Sequence, residues 1–468
     1  MTQHDFDIVV IGAGPAGYHS AIRASQLGMK VALIEKDDGS GIGGLGGVCL
    51  NWGCIPSKSL LKNAELINQI SEGEKWGISF EKLNIDFSKA VKRSREVSSA
   101  LTQGIGYLIN KNKITLFNDN AKFTSNETVI LTSSKDIIKA PKFIIATGAR
   151  PKSLPNLEID KNFIITSREA LDLKDSPKSI GIIGAGAIGV EFAYLFHSYS
   201  SEVMLFEMLP HLVPNEDEDV SVELEKSFSS RGIKFATNCK VLGTSIKENK
   251  VIIKYEHNGS ENQYECEKVL LGVGVQPNTD NLGLEEIGVT LEKGFVSIDE
   301  NMSTNIKNIY AVGDVTGKLM LAHVGFSQGA IAAEHASGET VHSLDYKEMP
   351  RCTYCQPQIA SIGLTEKEAR DSGRSIKTAK FPFKAVGKAI AIGDSEGFVK
   401  LITDNESGEL IGAHLIGPEV TELIAEIGIL KLLEGTNVEL GMLTHAHPTL
   451  SEALKEAGLA ISNEAIHF

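Results

Sequence analysis

Cysteine is scarce in this chain, with six in 468 residues: Cys49, Cys54, Cys239, Cys266, Cys352 and Cys355. So few in so long a chain exclude a disulfide-stapled secreted scaffold. Basic residues are also in the minority, 46 Lys and Arg against 60 Asp and Glu, for a formal charge of −14. That balance repels phosphate backbones and anionic membrane surfaces, and argues against a nucleic-acid or membrane partner. No apolar run approaches the roughly 20 residues that cross a bilayer, and the apolar segment Ile8–Ile11 is too short and too early for a signal peptide. Low-complexity linkers are missing as well. What remains is a 42% hydrophobic chain rich in glycine, long enough for about three domains, whose expected location is the cytoplasm.

Against these absences stands an internal echo. DIVVIGAGPAGYHSAIRASQLGMKVALIEK, from Asp7, is matched by SIGIIGAGAIGVEFAYLFHSYSSEVMLFEM, from Ser179. Each copy reads as strand, glycine turn, helix, strand. In the first, Gly12, Gly14 and Gly17 precede Glu35; in the second, Gly184, Gly186 and Gly189 precede Glu207, each acid 23 residues after the first glycine. One GxGxxG is weak evidence. Two, each after an apolar strand and each followed by an acid near the right distance, predict two Rossmann-like dinucleotide sites. The glycines allow a tight turn and a close approach to pyrophosphate, which then sits at a helix N-terminus. An acid ending the second strand accepts hydrogen bonds from ribose hydroxyls and repels a 2′-phosphate, so Glu207 points to NAD over NADP.

The segment GGVCLNWGCIPSK places Cys49 and Cys54 shortly after the first fingerprint. A close cysteine pair in an intracellular chain means redox catalysis or metal binding. No His or further Cys stands at zinc-ligand spacing around this one, so a redox disulfide is favoured and no metal site is expected. Near the other end, HAHPTLSE carries His447 and Glu452. Imidazole is the side chain suited to taking a thiol proton near neutrality, and a carboxylate on its other nitrogen fixes the tautomer.

CLNWGCIPSK resembles the active-site segment of the flavin-dependent pyridine nucleotide-disulfide oxidoreductases, and among them most the dihydrolipoamide dehydrogenases; the resemblance extends over essentially the whole chain. It implies an α/β fold of two Rossmann-like domains, for FAD and NAD, with a C-terminal α+β dimerisation domain. The FAD domain is expected to be discontinuous, over 1–150 and 279–346, around an NAD domain at 151–278, with the interface domain at 347–468. FIIATGARP, with Thr147 and Gly148, and NIYAVGDVTG, with Asp314, resemble the family's flavin-proximal signatures, Asp314 holding the ribityl chain and Glu35 the FAD ribose. Cys49 is then the interchange thiol and Cys54 the one beside the flavin. Lys58 places positive charge near the ring and pairs with Glu191. The resemblance also implies a homodimer in which His447 and Glu452 serve the partner's disulfide, and a lipoyl domain of a 2-oxo acid dehydrogenase complex or glycine cleavage system as protein substrate. His445 is not assigned the base role, which falls to the His before Pro.

Several positions depart from the family pattern. Val48 and Trp52 replace a common Thr and a common Val, Val275 and Gln276 stand where basic residues are frequent, Gln328 stands where Glu is frequent, and the glycine-rich loop from Gly39 to Gly47 is long. Cys352 and Cys355 form a CxxC read as structural, because they lie in a strand-like run with no second ligand pair; Cys239 and Cys266 are read as ordinary thiols. Competing readings are a glutathione or mercuric reductase and, from another class, a structural or binding subunit with a degenerate site. The acid at Glu207, the lack of cysteines after Cys355, and the intact set Cys49, Cys54, Lys58, His447 and Glu452 weigh against each in turn.

Overall fold

Four apolar runs, Ile8–Ile11, Val31–Glu35, Phe143–Ile145 and Ile309–Ala311, are buried along their length. That is the signature of parallel strands covered on both faces. In the computed structural model of the chain, which describes residues 2–36 and 44–468, they form a parallel sheet. Its order is Ile309–Ala311, Phe143–Ile145, Ile8–Ile11, Val31–Glu35, Thr115–Asn118. Of the long glycine-rich loop, only Gly44 to Gly47 fall among the described residues.

The second echo builds a second parallel sheet, in the order Ile164–Ile165, Lys268–Leu271, Ser179–Ile183, Glu202–Phe206, Lys234–Ala236. Beside it, Lys240–Lys247, Lys250–His257 and Ser260–Cys266 form an antiparallel meander. The inward side chains Val251, Ile253 and Cys266 of the meander share a core with Ile183 and Phe206. The chain passes from the first sheet to the second through Ala149–Pro151 and returns through Val275–Pro277, and these two crossings pair antiparallel with each other.

Toward the C-terminus, strands Arg351–Thr353, Gln358–Gly363, Leu410–Gly417, Phe398–Asp404 and Ile376–Pro382 make an antiparallel sheet in that order. Helices Val420–Leu432 and Glu452–Ile461 share its apolar core through Ile424, Ile427, Leu454 and Ala457. A buried ion cluster fastens this layer to the second parallel sheet's side: Lys400 Nζ lies 2.7 Å from Asp217, 2.6 Å from Asp219 and 2.7 Å from Glu366. Asp217 also caps helix Glu218–Arg231. Among the described residues no helix is long and apolar enough to cross a membrane.

Candidate active site

The two glycine turns show which glycines the chain itself requires. A Cβ on Gly17 would lie 1.8 Å from the Gly12 carbonyl oxygen, and one on Gly189 would lie 2.0 Å from that of Gly184. Gly12 and Gly184 also have φ of +103° and +95°. Gly14 and Gly186 are different. Their φ values are −67° and −69°, and a Cβ would meet only Gly47 Cα at 3.9 Å in the first case and nothing within 4 Å in the second. Among the described residues nothing in the backbone or packing demands glycine there, and the space this leaves suits a ligand approaching the N-termini of helices Pro15–Gln26 and Ala187–Ser198. Both acids are tied into their turns: Glu35 accepts the Ala13 N–H, and Glu207 accepts those of Ala185 at 2.7 Å and Leu209 at 2.9 Å. Glu35 also accepts the Gly44 N–H at 3.2 Å; a carboxylate has about four lone-pair sites, which leaves Glu207 capacity for ribose hydroxyls.

Asp314 opens a short turn, Gly313–Thr316, before helix Ala322–Ser337. Burial pushes its carboxyl above the usual range, and no group among the described residues hydrogen-bonds it. A half-buried acceptor without a partner among the described residues suits a ligand that brings hydroxyls to it, as the ribityl chain of FAD does. Gln328, on the following helix, is buried and accepts the Gly313 N–H at 2.6 Å while donating to Tyr346 Oη at 2.9 Å. Thr147 Oγ1 donates to the Asn278 carbonyl at 2.7 Å, and Gly148 has φ +69°, so both sit where the two crossings meet.

Cys49 and Cys54 are joined in a disulfide, with Cα atoms 4.7 Å apart. Cys49 lies in helix Gly47–Trp52, and Cys54 begins helix Cys54–Ser71 after the single break at Gly53. One turn further on, Lys58 Nζ is 3.0 Å from both carboxylate oxygens of Glu191, on helix Ala187–Ser198, and 4.3 Å from the Tyr354 ring centroid. The Tyr354 N–H completes this junction with a 3.0 Å bond to Glu191. At the other side of the disulfide, guanidinium groups of Arg95 and Arg168 lie over Trp52, 4.4 and 4.3 Å from its ring centroid. Arg95 Nη1 also donates to the Asn51 carbonyl at 2.5 Å, while its Nε and Nη2 are buried with no other hydrogen-bond partner. The ring face is what they meet.

His447 Nδ1 donates to Glu452 Oε1 at 2.9 Å, and Glu452 Oε2 accepts the Thr449 N–H at 3.0 Å. Burial acts upward on Glu452, but the Thr449 N–H and His447 outweigh it and hold the carboxyl below its ordinary value. Since the carboxylate only accepts, the proton is on Nδ1 and Nε2 carries the free lone pair of a base. The His447 side chain is 77% exposed, and no hydrogen bond or ion pair joins it to Cys49 or Cys54 within this chain. His445 is held differently, its nearly buried ring bonded through Nε2 to Glu426 at 2.7 Å.

The other cysteines are free thiols. Burial pushes Cys239 and Cys352 up to about 11 and Cys266 up to about 12, and raises Cys355 too, leaving them little thiolate character. Sequence reasoning missed Arg95, Arg168 and the Lys400 cluster, contacts between segments far apart in the chain, and Gln328's partners, 15 and 18 residues away. The one available signal was the departure at Trp52 and at Gln328 from the family's usual residues.

Residues 6–329 match the family model described as pyridine nucleotide-disulphide oxidoreductase, and residues 349–458 match the dimerisation domain of the same family. The chain belongs to this family. Within it, the similarity runs to dihydrolipoyl dehydrogenases over the full length: 44% identity to that of Mycobacterium leprae and 39% to that of Bacillus subtilis, each covering 99% of both chains. The group is thus that of the dihydrolipoyl dehydrogenases. Among solved structures, LpdA from Mycobacterium tuberculosis superposes with a TM-score of 0.90 at 26% identity, covering 98% of this chain and 100% of that one. The HOCl-induced flavoprotein disulfide reductase RclA from Escherichia coli gives 0.86 at 29%, covering 97% and 99%.

Proposed function

We propose that this chain oxidises dihydrolipoamide carried on a lipoyl domain of a 2-oxo acid dehydrogenase complex or glycine cleavage system, using FAD and NAD, as a homodimer with shared active sites. The observation that carries the reading is the Cys49–Cys54 disulfide set at a helix start near the first of two glycine turns, in a full-length relative of dihydrolipoyl dehydrogenases. Residues 1–150 with 279–346 form the FAD domain, 151–278 the NAD domain and 347–468 the interface domain. The paired crossings, the two parallel sheets and the antiparallel sheet support that division. Four free cysteines beside one redox pair support the cytoplasm as the compartment.

In the reaction, His447 Nε2 takes the proton of one substrate thiol, and Glu452 holds the resulting imidazolium. The thiolate attacks Cys49 Sγ; a mixed disulfide forms as the Cys49–Cys54 bond breaks, and Cys54 leaves as a thiolate. The second substrate thiol displaces Cys49, its proton passing to the leaving Cys49 sulfur, so the substrate closes to its disulfide and the cysteine pair has gained two electrons. Bound FAD supplies the chemistry of accepting that pair and passing it to NAD as hydride. Gly14 and Gly186 leave room for the two pyrophosphates, Asp314 holds the ribityl hydroxyls, Glu35 and Glu207 hold the riboses, and Lys58, neutralised in part by Glu191, keeps positive charge near the ring. His447, exposed and remote from its own chain's disulfide in bonding terms, serves the partner. The apolar side chains Leu432, Leu433 and Met442, each about three-quarters exposed in the isolated chain, support a covering second copy.

The test is anaerobic mixing of the purified protein with dihydrolipoamide and NAD, following NADH, with NADP in parallel. Rapid NADH formation with little NADPH is expected. Flavin bleached by NADH, with no NADH formed from dihydrolipoamide, would show that the disulfide substrate is another one.

A further inference from the structure

Helix Ala322–Ser337 lies so close to helix Pro15–Gln26 that a Cβ on Gly329 would stand 2.6 Å from the Ala16 carbonyl oxygen, and one on Gly325 would stand 3.2 Å from Ala16 Cβ. Between these two contact glycines, on the same buried side, is Gln328, 1% exposed. Its position ties together both ends of one ligand site. On one side of it is helix Pro15–Gln26, which begins within the Gly12–Gly17 motif; on the other is the Gly313–Thr316 turn that carries Asp314.

The Gln328 amide is used at both ends. Oε1 accepts the Gly313 N–H at 2.6 Å, and Nε2 donates to Tyr346 Oη at 2.9 Å. An amide buried this completely loses several kcal/mol of hydration unless both its dipole ends are satisfied, so the bond to Gly313 fixes the orientation of the side chain as well as that of the turn. Gly313 has φ +76° and directly precedes Asp314. The direction in which Asp314 projects is therefore set by the bond its neighbour makes. Asp314 itself gains no hydrogen bond from the described residues, so nothing on the acid's own side chain fixes that direction before a ligand arrives.

We infer that Gln328 is a positioning residue of the flavin site, holding the Gly313–Asp314 turn in the conformation that presents the Asp314 carboxylate to the ribityl hydroxyls of FAD. The inference rests on the assignment of Asp314 to that ligand. Gln328 acts through Asp314 without touching the reacting atoms. Either an amide or a carboxylate at 328 accepts the Gly313 N–H, since Tyr346 Oη donates as readily as it accepts. An aliphatic side chain accepts nothing and frees the turn.

The experiment measures FAD affinity by reconstituting the apoprotein of the full chain with FAD and following flavin fluorescence and absorbance. Gln328→Leu should weaken FAD binding about tenfold, the effect of about 1.4 kcal/mol for one lost hydrogen bond. Gln328→Glu should return it to near the wild-type value, a rescue that a role in packing alone would not produce. Asp314→Asn, the control for the underlying assignment, should weaken binding about tenfold or more. Wild-type affinity in Gln328→Leu beside weak binding in Asp314→Asn overturns the role of Gln328 and leaves Asp314 in place. Wild-type affinity in both overturns the Asp314 assignment. A Gln328→Glu protein as weak as Gln328→Leu also overturns the inference, because the acceptor is then not what matters. Should Gln328→Leu fail to fold, Tyr346→Phe removes the second anchor from a half-exposed side chain; a loss of a few-fold in FAD affinity is expected, and unchanged affinity refutes the proposal.

Discussion

If His447 serves the partner's disulfide, two inactive proteins should make an active one. Cys49→Ser removes the interchange thiol and leaves His447 intact; His447→Gln leaves the disulfide but removes the base, a loss of about 10² to 10⁴ in rate. Each homodimer then contains two defective sites. After equal amounts are unfolded together and reassembled with FAD, about half the dimers are hybrids by random pairing. In a hybrid, one site joins Cys49 from the His447→Gln chain to His447 from the Cys49→Ser chain and is complete, whereas the other carries both defects. The mixture should therefore recover about a quarter of the wild-type rate of NADH formation from dihydrolipoamide. The structure makes the expectation sharp: the His447 side chain is 77% exposed and its side-chain partner among the described residues is Glu452, so His447→Gln removes no packing contact on which the fold depends, and Cys49→Ser opens only the disulfide that turnover itself opens. If base and disulfide belonged to the same chain, no hybrid site would be complete, and recovery no greater than the sum of the two separate variants would refute the shared site.

Two further expectations concern stability. Trp52→Val restores the residue common in the family but leaves Arg95 Nε and Nη2 buried without the ring they face; the cost should be about 1–3 kcal/mol in denaturant midpoint, and a variant as stable as the wild type would show that the two guanidiniums gain nothing from the ring. Asp394 titrates in an unusual range, because burial and then Glu396 push its carboxyl up to about 6 against the pull of Arg231. The folded protein therefore binds this proton more tightly than the unfolded one, and its contribution to stability falls as pH rises from about 4 to about 6. Asp394→Asn should abolish that fall and be the more stable protein at neutral pH, by roughly 1–3 kcal/mol; parallel stability curves for the two proteins across this window would count against it.

How much of this was legible in the sequence depended on how local the physical cause was. The paired glycine fingerprints are local, since a turn that must bring Gly17 against the Gly12 carbonyl excludes every side chain, and that exclusion is written directly as glycine. The apolar strands around them are equally plain, because burial on both faces leaves no polar alternation. The C-terminal strands Gln358–Gly363, Phe398–Asp404 and Leu410–Gly417 could be read as short apolar runs, but their antiparallel order could not. The surroundings of the disulfide were hidden. Arg168 reaches Trp52 from a part of the chain more than a hundred residues away, and an arginine in a short polar helix has no pattern that announces its target. Gln328 and Lys400 were hidden for the same reason: their partners, Gly313 and the Asp217, Asp219 and Glu366 carboxylates, are set by how layers pack.

The meeting of Lys58, Glu191 and Tyr354 bears on how such a chain can be taken apart. The three residues come from segments far apart in the chain, helix Cys54–Ser71, helix Ala187–Ser198 and the turn after strand Arg351–Thr353, and together they satisfy one buried carboxylate. A chimera that exchanges one of these segments with that of a relative cuts a core they share and also inherits a foreign residue at one corner of this triangle. Removing the cation while the acid stays strands a negative charge in the interior, which costs several kcal/mol. Modules that look separable along the sequence are therefore joined by an obligation that only three compatible parts can meet, and successful recombination between relatives should preserve all three residues together.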